Sequence, residues 1–153
     1  MKKPEDVIGN ANYLIVKIIA IQKTHDIFMN RYIKDSDIKP SQYYMLHYLH
    51  NVKELNQSEI AACCFMDRCG VSRAFKEFEE KGLITREATE GNKRQYDISL
   101  TEKGLELAEF FSQKEKEWEE EISKKLGISL EDINLILQGL AQESIDFNKA
   151  SKK

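Results

Sequence analysis

The chain has 153 residues, of which 32% are charged and 41% hydrophobic, with seven glycines and two prolines. That length suits one domain able to bury a core unaided. So little Gly and Pro excludes collagen-like and Pro/Gly-rich disordered classes and favours long helices. A net charge of −3, averaged over the chain, stands against a nucleic-acid ligand, because such domains are expected to be basic. Three cysteines, Cys63, Cys64 and Cys69, are too few and too close for a disulfide scaffold, and their odd number fits a reducing compartment. Residues 1–6 lead into no signal-type apolar stretch. The most apolar run, Tyr13 to Ile21, is broken by Lys17 and falls well short of the roughly 20 residues that span a bilayer. The expectation is a soluble, cytoplasmic chain with no membrane association.

Residues Asn10 to about Lys34 contain neither Gly nor Pro and carry Leu14, Ile15, Ile18, Ile19, Ile21 and Phe28. A helix so apolar around its circumference is buried on more than one side, and in so short a chain the second surface points to another subunit. Asp35-Ser36-Asp37 ends it. Pro40 suits the first position of a second helix, where its missing N–H has no helical partner anyway. Tyr44, Leu46 or Met45, and Leu49 make that helix amphipathic as far as Asn51.

Asn56-Gln57-Ser58-Glu59 has the form of a capping box and predicts a short helix from Gln57 to about Phe65. A turn at Asp67-Arg68 leads to another helix, Cys69 to about Lys81, stopped by Gly82. Its Val71, Phe75 and Phe78 recur at i, i+4 and i+7, an apolar stripe, and the two short helices form a helix-turn-helix candidate. The period then changes. Leu83 to Ala88 reads as a strand and residues 90–93 as a turn. Tyr96, Ile98 and Leu100 alternate with polar residues as a second, half-buried strand.

Thr101 can cap a long helix, Glu102 to Leu126, which Gly127 ends. Within it, Glu115 to Glu121 reads as a solvated face around Trp118. Ser129 caps a last helix with Ile133, Ile136, Leu137, Leu140 and Ile145 on one face. The expected architecture is mainly α with a small β-hairpin wing: a winged helix-turn-helix flanked by long terminal helices.

On these blocks the chain resembles the MarR family of bacterial transcription regulators. Ile38-Lys39-Pro40-Ser41-Gln42 and Ser58-Glu59-Ile60-Ala61 resemble the openings of its second helix and its helix-turn-helix. Val71-Ser72-Arg73, with Phe78 through Arg86, resembles its recognition helix and exit. Lys93-Arg94 and Ser99 through Gly104 resemble its wing and return. The resemblance implies one domain over 1–153, with dimerisation helices at 1–36 and 104–153 and the winged helix-turn-helix at 38–103. It implies a homodimeric repressor or activator that binds a pseudo-palindromic operator in double-stranded DNA, with a repressor released by a small-molecule effector as the expected form. Three positions depart from the family. Asn92 stands where wings carry Asp, Lys39 where the second helix is capped by Thr, and Cys64 where a buried aliphatic residue is usual.

DNA binding needs phosphate contacts for affinity and base-edge contacts for specificity. A recognition helix presents its N-terminal half to the major groove, which selects Arg68, Ser72, Arg73 and Lys76. Gln57 and Ser58 stand where a helix start could hold a phosphate. Lys93 and Arg94 would enter the minor groove from the wing. Effector contacts by analogy would draw on Tyr13, His25, Tyr43, Tyr44 and His47.

Two alternatives remain at this level. One is a regulator that senses redox through Cys69 beside Arg68, or a metal through Cys63, Cys69 and His47 or His50, although that spacing matches no standard zinc pattern. The other is a winged-helix protein-interaction module without DNA. No cofactor is expected, and an enzyme is not, since no phosphate-binding glycine loop, H-E-x-x-H or nucleophile elbow is present.

The charge is unevenly spread. Residues 1–66 carry +1, residues 67–101 carry 0, and residues 102–153 carry −4. The acidity lies in the C-terminal helices, while the predicted reading region is neutral and depends on a few well-placed cations.

Overall fold

The structure, a computed structural model, describes residues 9, 12–52, 57–64, 66–88 and 96–150. In chain order these form α1 (Leu14–Ile33), α2 (Pro40–Asn51), α3 (Gln57–Cys63), α4 (Arg68–Glu80), β1 (Ile84–Ala88), β2 (Tyr96–Leu100), α5 (Glu102–Leu126) and α6 (Leu130–Ala150). The predicted mainly helical chain with one hairpin is the observed one. It divides into two compact units, residues 1–112 and residues 113–153.

The first unit holds the core. Met29 and Ile33 of α1, Tyr43, Met45 and Leu46 of α2, Ile60 of α3, Val71, Phe75 and Phe78 of α4, and Phe111 of α5 are all buried. The stripe predicted for α4 is therefore its core face. In α2 the buried tyrosine is Tyr43 rather than Tyr44. α1 starts at Leu14 instead of Asn10, because Tyr13 has extended backbone (φ −93°, ψ 129°). Asn12 lies just before it, and asparagine is disfavoured inside helices because its side chain competes for backbone hydrogen bonds.

Tyr44 is half-buried and its hydroxyl donates to Asp26 Oδ1 at 2.8 Å, linking α2 to α1. Burial first, then this carboxylate, pushes the phenol up to about 12. Tyr44→Phe keeps the ring and removes only the bond. It is expected to cost about 1 kcal/mol, a fall in Tm of roughly 2–4 °C in a thermal melt. An unchanged Tm would show the bond to be neutral.

α4 begins one residue earlier than the sequence suggests. Asp67 is its N-cap, its carboxylate accepting from the Gly70 amide at 2.6 Å. The helix ends in a Schellman arrangement: Gly82, at φ 67°, donates to Glu79 O, and Leu83 donates to Phe78 O at 2.8 Å. Glycine takes this left-handed position without the steric cost a Cβ brings. The chain then enters β1, which pairs antiparallel with β2 from Ile84↔Leu100 to Ala88↔Tyr96.

Thr101 ties the hairpin back to α4. Its hydroxyl donates to Gly82 O at 2.6 Å and accepts from the Gly104 amide at 3.0 Å, and its own N–H donates to Leu83 O at 3.0 Å. Gly104 packs so closely here that a Cβ on it would lie 1.9 Å from Leu83 O.

In the second unit, the amides of Gly127 and Ile128 both donate to Ser123 O, and Gly127 has φ 67°, the helix stop expected there. Ser129 Oγ accepts from the Asp132 amide at 3.1 Å and caps α6. None of α6 is buried: Leu135, Ile136 and Phe147 are 70%, 67% and 74% exposed. Of its predicted apolar face, Ile136, Leu137 and Ile145 are exposed and Ile133 and Leu140 are half-buried. In α5, Glu115, Trp118 and Glu119 are half-buried, so the charge-dense stretch is not the fully solvated face expected of it. No helix among the described residues is long and apolar enough to cross a membrane.

Candidate nucleic-acid interface

With Val71, Ala74, Phe75 and Phe78 turned into the core, helical geometry aims Cys69, Ser72, Arg73, Lys76 and Glu80 outward. Arg68, Ser72, Arg73 and Lys76 are all exposed. The structure thus brings Ser72, Arg73 and Lys76 together on one face, with Arg68 at the first turn and to one side. Gln57 (half-buried) and Ser58 (exposed) open α3. Lys93, Arg94 and Asn92 lie outside the described residues.

The pairing of the acids changes the electrostatics of α4. Glu77 accepts from Lys39 Nζ at 2.7 and 2.8 Å and from Gln42 Nε2 at 2.6 Å. These two donors hold its carboxyl below the usual range. Glu79 lies 3.7 Å from the Arg86 guanidinium, and Glu80 lies 3.8 Å from Lys76. Each acid in the later half of the helix has a cation beside it. Among the described residues Arg68 and Arg73 have no ion-pair partner. A region neutral in total therefore exposes two uncompensated guanidiniums at its leading end.

Three contributors to this face have no clear signal in the sequence. Gln42 is the only polar residue among those described as buried, 2% exposed, and its Oε1 accepts from the Lys39 amide at 2.9 Å. Lys39, the departure from the usual cap, is used to bind Glu77. Arg86, in the middle of β1, lies with its guanidinium 4.5 Å from the Tyr96 ring centroid, a cation–π contact. Its Nε is buried without a hydrogen-bond partner among the described residues. A shallow groove of about 200 Å³ runs between the start of α2 and α4, with Lys39, Ser41, Arg73 and Glu77 on its walls.

The effector candidates are dispersed in role. Tyr13 is exposed at the start of α1. Tyr43 is a core residue set edge-on against Phe111 at 5.3 Å. His47, pushed down by burial and then by the neighbouring His50 and His25, lies 3.3 Å from Asn51 Nδ2. An open cavity of about 330 Å³ lies elsewhere, between Ser36 and Asp37, the exit of α4 at Lys81 and Leu83, and Lys103, Leu107 and Phe110 of α5.

The cysteines are spread out in environment. Cys69 is exposed, and Cys63 and Cys64 are half-buried. Burial first, then Cys63, pushes the Cys64 thiol up to about 11, which leaves about one thiol in a thousand ionised at pH 8. Brief alkylation of the native chain at pH 8, mapped by mass spectrometry, is expected to label Cys69 and spare Cys64. Equal labelling would contradict this placement. Among the described residues no three His, Cys, Asp or Glu side chains gather as a metal site.

Residues 36–95, the stretch that holds α2, α3, α4 and β1, match the model of the MarR family. Over that stretch, under half of its length, the chain is similar to the MarR family. It is 32% identical over 73 residues to the HTH-type transcriptional regulator SarZ of Staphylococcus aureus (strain MRSA252), a match covering 48% of this chain and 49% of SarZ. It is 29% identical over 113 residues to the HTH-type transcriptional regulator YdgJ of Bacillus subtilis (strain 168), covering 72% and 66% respectively. The chain thus spans about half to two thirds of the length of these curated relatives. Its fold is that of solved MarR-family structures. MarR superposes with a TM-score of 0.78 at 22% identity, over 92% of this chain and 97% of that one. S. aureus MepR in its DNA-binding conformation gives 0.77 at 23%, over 88% and 98%, and MepR has also been solved as a DNA complex.

Proposed function

We propose that this chain is a MarR-type, sequence-specific DNA-binding transcription regulator acting as a homodimer. The observation that carries the reading is the outward face of α4. Arg68 and Arg73 are exposed and unpaired among the described residues, Ser72 is beside them, and every acid of the later half is matched by a cation. Arg73 and Ser72 would read base edges, and Arg68, Lys76, Gln57 and Ser58 would hold phosphates. Lys93 and Arg94 of the wing would reach the minor groove. Lys76 must exchange Glu80 for a phosphate, an inexpensive step for an exposed pair.

The uncovered apolar residues support a dimer. α1 leaves Leu14, Ile15, Ile19, Ile21 and Ile27 exposed, and α6 leaves Leu135, Ile136, Ile145 and Phe147 exposed. Apolar surface in this quantity is ordinarily an association site. Two α4 helices in a dimer would read half-sites about 34–36 Å apart. Release of a repressor by a small molecule is the finer part of the reading. It rests on the family resemblance and on a cavity within the size range of ligand pockets.

Selection of duplexes from a random pool, followed by a shift assay across a salt series, tests the function. An enriched pseudo-palindrome bound by two chains is expected, with affinity falling steeply as salt rises. A pool without enrichment, bound no better than competitor DNA, would refute it.

A further inference from the structure

The segment between α1 and α2 is fastened to α4 by two contacts of opposite polarity. Lys39 donates to both carboxylate oxygens of Glu77, at 2.7 and 2.8 Å. Lys81 donates to the backbone carbonyl of Asp37, with its ammonium 4.0 Å from the Asp37 carboxylate. Glu77 and Lys81 are four residues apart and so share one face of the helix. Asp37 is the one described non-glycine residue with positive φ, 58°, which turns the chain so that residues 37 and 39 both reach that face. Gln42 grips Glu77 from α2 at 2.6 Å, and Lys103 of α5 donates to Lys81 O at 2.8 Å.

The charge order runs negative then positive along residues 37 and 39, and negative then positive along residues 77 and 81, in antiparallel alignment. Reversing the direction of one segment, so that 37 met 77 and 39 met 81, would set acid on acid and lysine on lysine. The charge order therefore favours one relative direction of the two segments.

Exposed ion pairs contribute only about 0–1 kcal/mol, so two such rungs do little for global stability. Their geometric effect is larger. A helix with side chains is roughly 10–12 Å across, so rotating it by about 20° moves a surface atom by roughly 2 Å. Hydrogen bonds to base edges tolerate only a few tenths of an ångström.

We propose that Glu77 and Lys81 are positioning residues. With Lys39, Gln42 and Asp37 they clasp the recognition helix to the α1–α2 connection and set the angle at which Ser72 and Arg73 meet DNA. The proposal rests on the DNA-binding reading for its consequence, but the clasp can be tested without DNA. The test uses the full chain as wild type, Glu77→Lys, Glu77→Gln, Lys39→Glu and the exchanged pair Lys39→Glu/Glu77→Lys.

Hydrogen exchange at pH 7 is the first readout. The single variants are expected to speed exchange in residues 35–39 and 74–81 by about threefold to fivefold, with residues 104–112 unchanged, and the exchanged pair to restore most of the protection. Unchanged exchange in Glu77→Gln and Glu77→Lys would overturn the clasp.

Discrimination between a pool-selected duplex and its scrambled counterpart is the second. Glu77→Lys is expected to lose about tenfold in that ratio while binding the scrambled duplex at least as well, and the exchanged pair to recover to within about threefold. If Glu77 were an ordinary surface acid, adding a lysine there would tighten both complexes and keep the ratio, which would overturn the positioning role. A wild type that does not distinguish the two duplexes would instead sink the DNA reading, and the positioning role with it. The exchange data would still decide whether the clasp exists.

Discussion

Gly104→Ala should destabilise the chain by roughly 2 kcal/mol or more, although alanine is the better helix former. Position 104 lies in the first turn of α5, where the propensity gain alone would stabilise by about 1 kcal/mol. Against it stands a Cβ placed 1.9 Å from Leu83 O, 2.9 Å from Leu83 C and 3.3 Å from Leu100 Cδ2. The nearest atom is a backbone carbonyl that cannot turn aside. It already accepts from the Thr101 amide, and its residue is buried at the exit of α4. Relief must move the start of α5 away from the α4–β1 junction, an overpacking cost of about 3 kcal/mol at the upper end of the usual range. The two contributions have opposite signs, so one thermal melt decides. A fall in Tm of roughly 4–8 °C is expected, and a Tm at or above wild type would show that the close approach is absent.

Arg73→Ala is expected to weaken binding to a selected duplex by about 10- to 100-fold, the range for losing a bidentate base contact. Arg73 is exposed on the outward face of α4 and has no acidic partner among the described residues. Its loss should cost little stability, and the melt should match wild type within a degree or two, since surface changes of this kind usually stay within about 0.5 kcal/mol. The salt series separates two roles. A base reader loses discrimination between selected and scrambled duplexes, whereas a phosphate contact weakens both alike and lowers the salt slope by about one. A parallel loss on both duplexes would move Arg73 from reading to positioning on the backbone. Equal affinity for wild type and variant at every salt concentration would remove it from the interface.

The neutral charge of residues 67–101 takes on a different meaning in three dimensions. The count places seven basic and seven acidic residues there, which argues for a weak grip on DNA. In the fold Glu77 is spent on Lys39, Glu79 lies against Arg86, and Glu80 lies against Lys76. Lys39 comes from outside that stretch, so one of the acids is neutralised by a residue that the regional count leaves out. What faces outward at the start of α4 is cationic.

Capping and stop signals were legible along the chain because they act over a few residues. Pro40 at the start of α2, Gly82 and Gly127 at positive φ, Thr101 before α5 and Ser129 before α6 all do what their local chemistry predicts. The apolar periodicity of Val71, Phe75 and Phe78 likewise marked the buried side of α4, and hence the side that faces out. Asp67, which reads along the chain as a turn residue, is in the fold the cap of α4 and moves the start of that helix by one residue.

What no local pattern could supply is which distant groups meet. Lys39 and Glu77 are 38 positions apart, and Lys81 and Asp37 are 44 apart. An exposed lysine and an exposed glutamate look alike in sequence whether they are paired or solvated. Gly104 reads as a mild helix defect until Leu83 O is seen against it. Periodicity and capping are set by neighbouring residues through the backbone. The pairing of Lys39 with Glu77, and the contact of Gly104 with Leu83, arise only once the core has packed α2, α4 and α5 together, because hydrophobic burial carries no record of which polar groups it will bring into contact.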